Sequence, residues 1–272
     1  MSTIDVGGAT LYYEQRGHGP PVLCISGITG DAELWTRMAE ELADEFTMVS
    51  YDRRGNSRSP RPENWISTSL DEQADDAAGL LRGLDLAPAV VFGASGGGVI
   101  LTNLVLRHPE VVRGAIIHEP PFVSVSSDPD AVGRQLSLLF EEGMARSGLM
   151  GAMEALVRWA WGDDGLAAVE PEVRERLMSN GEVFFGLELG AFIEYLPTPD
   201  ELAGVQVPRI VAAGAENRAP TAAYHHGYEE SQWLAAQMHT ELAELPGGHA
   251  PNLTHPAVLA EALRPLLRAL TR

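Results

Sequence analysis

Lysine is absent from this chain. All 19 of its basic residues are arginine, set against 38 aspartates and glutamates, for a formal charge of −19. Without lysine there is no Schiff-base chemistry, no pyridoxal phosphate attachment and no Walker-type phosphate lysine. The acidic surplus repels nucleic acid and anionic membranes, and no basic stripe offsets it. Cysteine is nearly absent too: Cys24 stands alone, so no internal disulfide forms and a reducing compartment suits the chain. Its place in the apolar run VLCI marks a buried structural thiol rather than a nucleophile. No segment approaches ~20 uninterrupted apolar residues, the length a membrane span needs. The opening MSTIDVGGAT has neither the basic nor the apolar region of a secretory signal. A cytoplasmic protein that contacts neither membrane nor nucleic acid is the expectation. The pair His225-His226 has no acidic motif at ligand spacing, so no metal is expected, and nothing calls for a cofactor.

What is present is an α/β pattern. At 272 residues and 45% hydrophobic content, the chain is long enough for one large domain, or a core with an insertion. Strand-like runs ATLYYEQ, PPVLCISG, TMVSYD, AVVFG, RGAIIHEPP, VPRIVAAG and TELAELPGG alternate with helical ones such as WTRMAEELADE and HPAVLAEALRPLLRALT. The stretch from Ser69 to Leu84 reads as a helix opened by an S-x-x-E box at Ser69 and Glu72. This alternation predicts a mostly parallel sheet with helices on both faces. Residues 122–203 break the rhythm, with several amphipathic helical stretches and no convincing strand. Some 80 helical residues between two strands exceed any ordinary loop. They predict a helical cap over the C-terminal edge of a core formed by 1–121 and 204–272. Trp159, Trp161, Phe184, Phe185 and Tyr195 are candidates there for an apolar substrate lining.

The most informative stretch is FGASGGG at 92–98, a G-x-S-x-G pentad between a short apolar strand and a helix. Such a turn holds its serine strained and exposed, beside a helix N-terminus that steadies a developing anion. A dinucleotide turn would need glycine where Ser95 stands. Ser95 is therefore the candidate nucleophile. His249 lies in the loop LPGGHAPNLTHP between the last strand and the last helix, where the preceding glycines let the loop fold over the nucleophile, and it is a candidate base. His255 is a rival, but it opens a helix as His-Pro.

These stretches, with SGITG at 26–30 and YDRRGNSRS at 51–59, resemble the α/β-hydrolase superfamily over essentially the whole chain. Ser26 replaces a histidine common in the first motif, and Asn56-Ser57 depart from the second. The resemblance implies an oxyanion hole from the N–H of Gly96 and that of Gly27 or Ile28. It also implies a chain order of serine, acid, histidine, which places the acid between 95 and 249. The superfamily's usual aspartate position holds Asn217, an amide that supplies no charge. Glu216 and Glu119 are the carboxylates that could substitute. Glu119 ends the strand after the nucleophile's, and neighbouring strand ends lie only ~4.8 Å apart. LYYEQRGHGP, H-E-x-P at 118–121 and LPGGHAPNLTHP resemble more closely the lactonases that hydrolyse zearalenone. That group takes its acid from a glutamate at this strand end, which favours Glu119. On this reading Asn217 is expected to be dispensable. The resemblance implies hydrolysis of an ester or lactone, including a macrolactone, by Ser95, His249 and Glu119. A general carboxylesterase, a cofactor-free perhydrolase or haloperoxidase, and a ligand-binding receptor on the same fold stand as alternatives. Nothing in the sequence fixes an oligomeric state.

Overall fold

The computed structural model describes residues 2–272. Eight strands form one sheet: β1 Ser2–Val6, β2 Ala9–Arg16, β3 Pro21–Ile25, β4 Thr47–Tyr51, β5 Ala89–Ala94, β6 Val112–His118, β7 Arg209–Gly214 and β8 Leu242–Leu245. Their order is β1-β2-β4-β3-β5-β6-β7-β8. The β1/β2 and β2/β4 pairs are antiparallel and all others are parallel. The expected α/β-hydrolase architecture is present: a mostly parallel sheet with helices on both faces.

Parallel strands covered on both faces need apolar residues at every position, and β4 is buried throughout. Helices α2 (Leu70–Gly83) and α3 (Gly96–Arg107) cover one face. Helices α1 (Thr36–Leu42) and α11 (Pro256–Leu270) cover the other. Leu259, Leu263 and Leu267 recur every fourth residue along α11 and are all buried, the stripe of an amphipathic surface helix. Cys24 lies in the second core and is buried, which pushes its thiol pKa up. No helix among the described residues is long and apolar enough to cross a membrane.

Two local features differ from the sequence expectation. Strand β1 was not foreseen, because five residues with an exposed edge carry little hydrophobic pattern. It forms because Gly7 and Gly8, at φ 53° and 81°, turn the chain back onto β2. The S-x-x-E box is only half made. Ser69 accepts from the Glu72 N–H at 3.1 Å, while the Glu72 carboxylate accepts from Trp65 Nε1 and the Thr68 hydroxyl.

Between β6 and β7 the chain is helical: α4 Pro129–Ala167, α5 Pro171–Ser179, α6 Gly181–Val183, a π-helical turn Phe184–Glu188, α7 Leu189–Glu194 and α8 Pro199–Ala203. Helix α4 is interrupted twice, where Ser147 and Gly148 leave helical geometry and again at Gly162. The stretches on either side of the first break touch at Gly143 and Gly151, where a Cβ on Gly143 would lie 2.5 Å from the Gly151 carbonyl. Only glycine permits that approach. Met153, Val157, Leu177 and Phe184 pack here against Leu34 and Leu253 of the sheet-bearing part. The remaining helices are α9 (His225–Gln237) and α10 (Pro251–Thr254).

His118 ends β6 fully buried, its ring 6.3 Å from Phe92 and 6.4 Å from His249. Neither ring nitrogen has a partner among the described residues, and burial pushes its pKa down to about 4. An ordinary histidine titrates near ~6.5. Between those values the unfolded chain binds a proton that the folded chain refuses, so this residue lowers stability as pH falls through the window. His118→Phe is therefore expected to reduce the loss of melting temperature between pH 6.5 and 4. Some slope persists, because burial also pushes His226 down to about 4. Parallel melting curves for wild type and variant would contradict this.

Candidate active site

Strand β5 ends at Ala94 and α3 begins at Gly96, which leaves Ser95 alone at the turn with φ 56° and ψ −129°. A non-glycine residue there is strained by ~1–3 kcal/mol and persists only where its surroundings enforce it. The enforcing contacts are local. Ser95 N–H donates to the His118 carbonyl at 2.9 Å. A Cβ on Gly93 would lie 2.3 Å from the Gly97 carbonyl, and one on Gly97 would lie 2.1 Å from that of Ile25. Both flanking glycines are therefore obligatory for the turn.

The loop after β3 lies against this turn. A Cβ on Gly27 would fall 2.9 Å from Ser95 Cβ, and the Ile28 nitrogen lies 3.4 Å from where a Gly96 Cβ would stand. The Ile28 and Gly96 backbones thus meet beside the Ser95 side chain. Ser26, standing where histidine is common, donates to the Asp31 carbonyl and accepts from Trp35 Nε1, both at 2.7 Å. The loop is held by a serine and a tryptophan instead.

Glu119 follows β6 directly, at φ 43° and with no exposed surface. Its Oε2 lies 2.7 Å from His249 Nδ1. Its Oε1 accepts from the Gly214 N–H at 2.8 Å, and Asn217 Nδ2 donates to Oε1 at 2.9 Å and to Oε2 at 3.0 Å. Burial alone would raise this carboxyl's pKa. The His249 hydrogen bond, the neighbouring imidazoles and Asn217 outweigh it and hold the group below the usual glutamate value. The β6–β7 register, with His118 opposite Ala212, sets Glu119 one strand from the end of β7. Glu216 is exposed and bonds through its backbone N–H to Gly247. Asn217, expected to be dispensable for turnover, is buried and donates to both oxygens of Glu119. An amide suits this place because the group it faces is already an anion that needs donors.

Ser95 and His249 line one cavity with Ile28, Leu34, Val157, Trp161 and Leu253. It measures about 40 Å³, room for a water or two. Apart from His249, no ionisable side chain lines it among the described residues. Of the five aromatics expected there, Trp161 alone is on its wall. Trp159 stacks on His226 at 4.9 Å, behind Tyr224. Phe184 and Phe185 pack edge-to-face with each other inside the helical insertion, and Phe140 joins Phe185. Tyr195 points away and donates to Asn103 on α3. Sequence reasoning missed Tyr224, whose ring centroid lies 3.8 Å from that of His249 and whose phenol faces Ser95. Burial holds that phenol protonated, well above its ordinary pKa. Among the described residues no group of three His, Cys, Asp or Glu is placed to hold a metal ion.

A family model described as alpha/beta hydrolase fold matches residues 20–148. The uncharacterized hydrolase YraK of Bacillus subtilis (strain 168) is 30% identical over 97% of this chain and 95% of its own. A zearalenone hydrolase of Bionectria ochroleuca is 28% identical over 96% of this chain and 95% of its own. A thermophilic esterase from Thermogutta terrifontis superposes with a TM-score of 0.78 over the full length of both chains, at 22% identity.

The Glu119 environment has a titration consequence. Asn217→Asp would put a second carboxylate about 3 Å from the first, and like charges that close cannot both ionise. One of the pair then keeps its proton above the ordinary ~4, so the folded variant binds more protons than the unfolded one. Its stability falls as pH rises through that range. The melting-temperature deficit of Asn217→Asp against wild type is expected to be small near pH 4 and to grow towards pH 7. A deficit that is constant, or that shrinks, would contradict this assignment.

Proposed function

The chain belongs to the α/β-hydrolase family of enzymes, and from that premise we propose that it hydrolyses a neutral carboxylic ester or lactone through Ser95, His249 and Glu119. The contact that carries this reading is the buried 2.7 Å bond between Glu119 and His249, whose ring shares a cavity with the strained Ser95. Glu119 keeps the proton on Nδ1, which leaves Nε2 as the base. Nε2 takes the Ser95 proton as Oγ attacks the carbonyl carbon. The N–H groups of Gly96 and Ile28 receive the developing oxyanion; losing one such donor costs roughly 3 kcal/mol in barrier height. Collapse breaks the acyl–oxygen bond, and the departing alkoxide takes the proton from His249. In a lactone it stays attached to the acyl chain. Water, deprotonated by His249, then attacks the acyl-serine, and Ser95 leaves with its proton restored.

Substrate class follows from the lining. A cavity without a cationic side chain gives no partner to a substrate carboxylate, which favours uncharged esters and lactones. The similarity to a zearalenone hydrolase along nearly the whole chain supports testing macrolactones as well. With about 40 Å³ free, a large ring enters only if Val157 and Trp161 move, so the helices between β6 and β7 act as the cap that selects substrate.

The test is covalent. A fluorophosphonate should label wild type once, at Ser95, and should fail on Ser95→Ala. On aryl esters, small lactones and macrolactones, Glu119→Gln should lose about 10⁴ in kcat, while Glu216→Gln should retain wild-type turnover. Labelling that survives Ser95→Ala, or sensitivity at Glu216 in place of Glu119, would overturn the proposal.

A further inference from the structure

We infer that Arg53 is a positioning residue for the oxyanion hole, set in place by Glu188 of the helical insertion; this rests on the reading of Ser95 as nucleophile. Arg53 and Glu188 have no exposed side-chain surface and lie 135 residues apart in the chain. Two parallel bonds join them, Nη1–Oε1 at 2.5 Å and Nη2–Oε2 at 2.9 Å. The rest of the guanidinium faces the loop after β3. Nε donates to the Gly27 carbonyl at 3.1 Å, and Nη2 reaches that of Ile28 at 3.4 Å.

The first of these bonds acts on the reacting site through peptide geometry. The Gly27 carbonyl and the Ile28 N–H belong to one planar trans unit, in which they point in opposite directions. Holding the oxygen fixes where the N–H points, and a donor on the oxygen polarises that N–H into a better donor itself. Arg53 touches neither substrate nor Ser95; it aims and strengthens the Ile28 donor from behind.

Glu188 holds the guanidinium, and its surroundings are built for that. Asn56 Nδ2 and Gln73 Nε2 each donate to its Oε1 at 3.2 Å. Asn56 thus supplies a side-chain donor to the insertion's carboxylate. One turn further, the Phe192 ring lies 3.2 Å from where a Gly96 Cβ would stand and 5.9 Å from Arg53 Cζ. Asn180, also in the insertion, donates to the Thr29 carbonyl at 2.6 Å. The insertion thus touches the backbone around both oxyanion donors. A buried ion pair is a poor source of stability, because desolvation offsets much of its attraction. This one spends its geometry on the loop.

The informative variant removes both charges at similar volume. R53M/E188M is expected to stay folded, with a melting temperature equal to or above wild type. Its kcat should fall about 10²-fold with KM changed by less than about 3-fold. Affinity for a boronate that mimics the tetrahedral intermediate should fall by the same factor as kcat. R53K keeps the charge but loses the Nε donor, and should also lose kcat. A folded R53M/E188M or R53K with wild-type kcat and boronate affinity, or a loss confined to KM, would overturn the inference. Ser95→Ala, assayed in parallel, separates the two readings. If activity ignores Ser95, the hydrolase mechanism fails. If activity requires Ser95 and R53M/E188M retains kcat, only the role of Arg53 fails.

Discussion

A carboxylate with no exposed surface must be given hydrogen-bond donors, and the arrangement of this site follows from how Glu119 is given them. An unpaired ionised group at that depth costs several kcal/mol or gives up its charge. Here the donors come from separate parts of the chain: the Gly214 N–H at the end of β7, the Asn217 amide beyond it and His249 from the loop after β8. Each donor fixes the element that carries it. The ends of β6 and β7 and the histidine loop are registered on one another by a single anion. The positive φ of Glu119 is tolerated because so many contacts determine it.

Asn217 follows from the same constraint. With the negative charge on the neighbouring strand, a second carboxylate at 217 would repel it, whereas an amide donates to both of its oxygens. The carboxylate at 119 and the amide at 217 are complementary, the anion on one strand end and its donor beyond the next. The loop after β3 shows the same economy. Its carbonyls are held by Arg53 and Asn180, and its glycine is dictated by the closeness of Ser95.

What was legible in the sequence is what short-range sterics dictate. The pentad around Ser95 could be read because the turn forces glycine at 93 and 97, wherever the rest of the chain lies. The buried strands were legible as apolar runs, and the insertion as helical periodicity without strands. What stayed hidden depends on contacts between distant residues. Nothing local to Arg53 announces Glu188, 135 positions away. The packing of Tyr224 against His249 and the turning of Tyr195 towards Asn103 were equally invisible. Aromatic content alone could not separate cavity wall from helical core, so one of five candidates lines the cavity. The donor role of Asn217 was hidden for the same reason, since Glu119 lies 98 positions away in the chain.

The central claim is that Glu119, and no other carboxylate, holds the His249 imidazole. Proton NMR of the His249 Nδ1–H tests it most directly, since a short charge-assisted bond deshields that proton strongly. The account predicts a far-downfield resonance in wild type that persists in Glu216→Gln and vanishes in Glu119→Gln. A resonance retained in Glu119→Gln and lost in Glu216→Gln would contradict it.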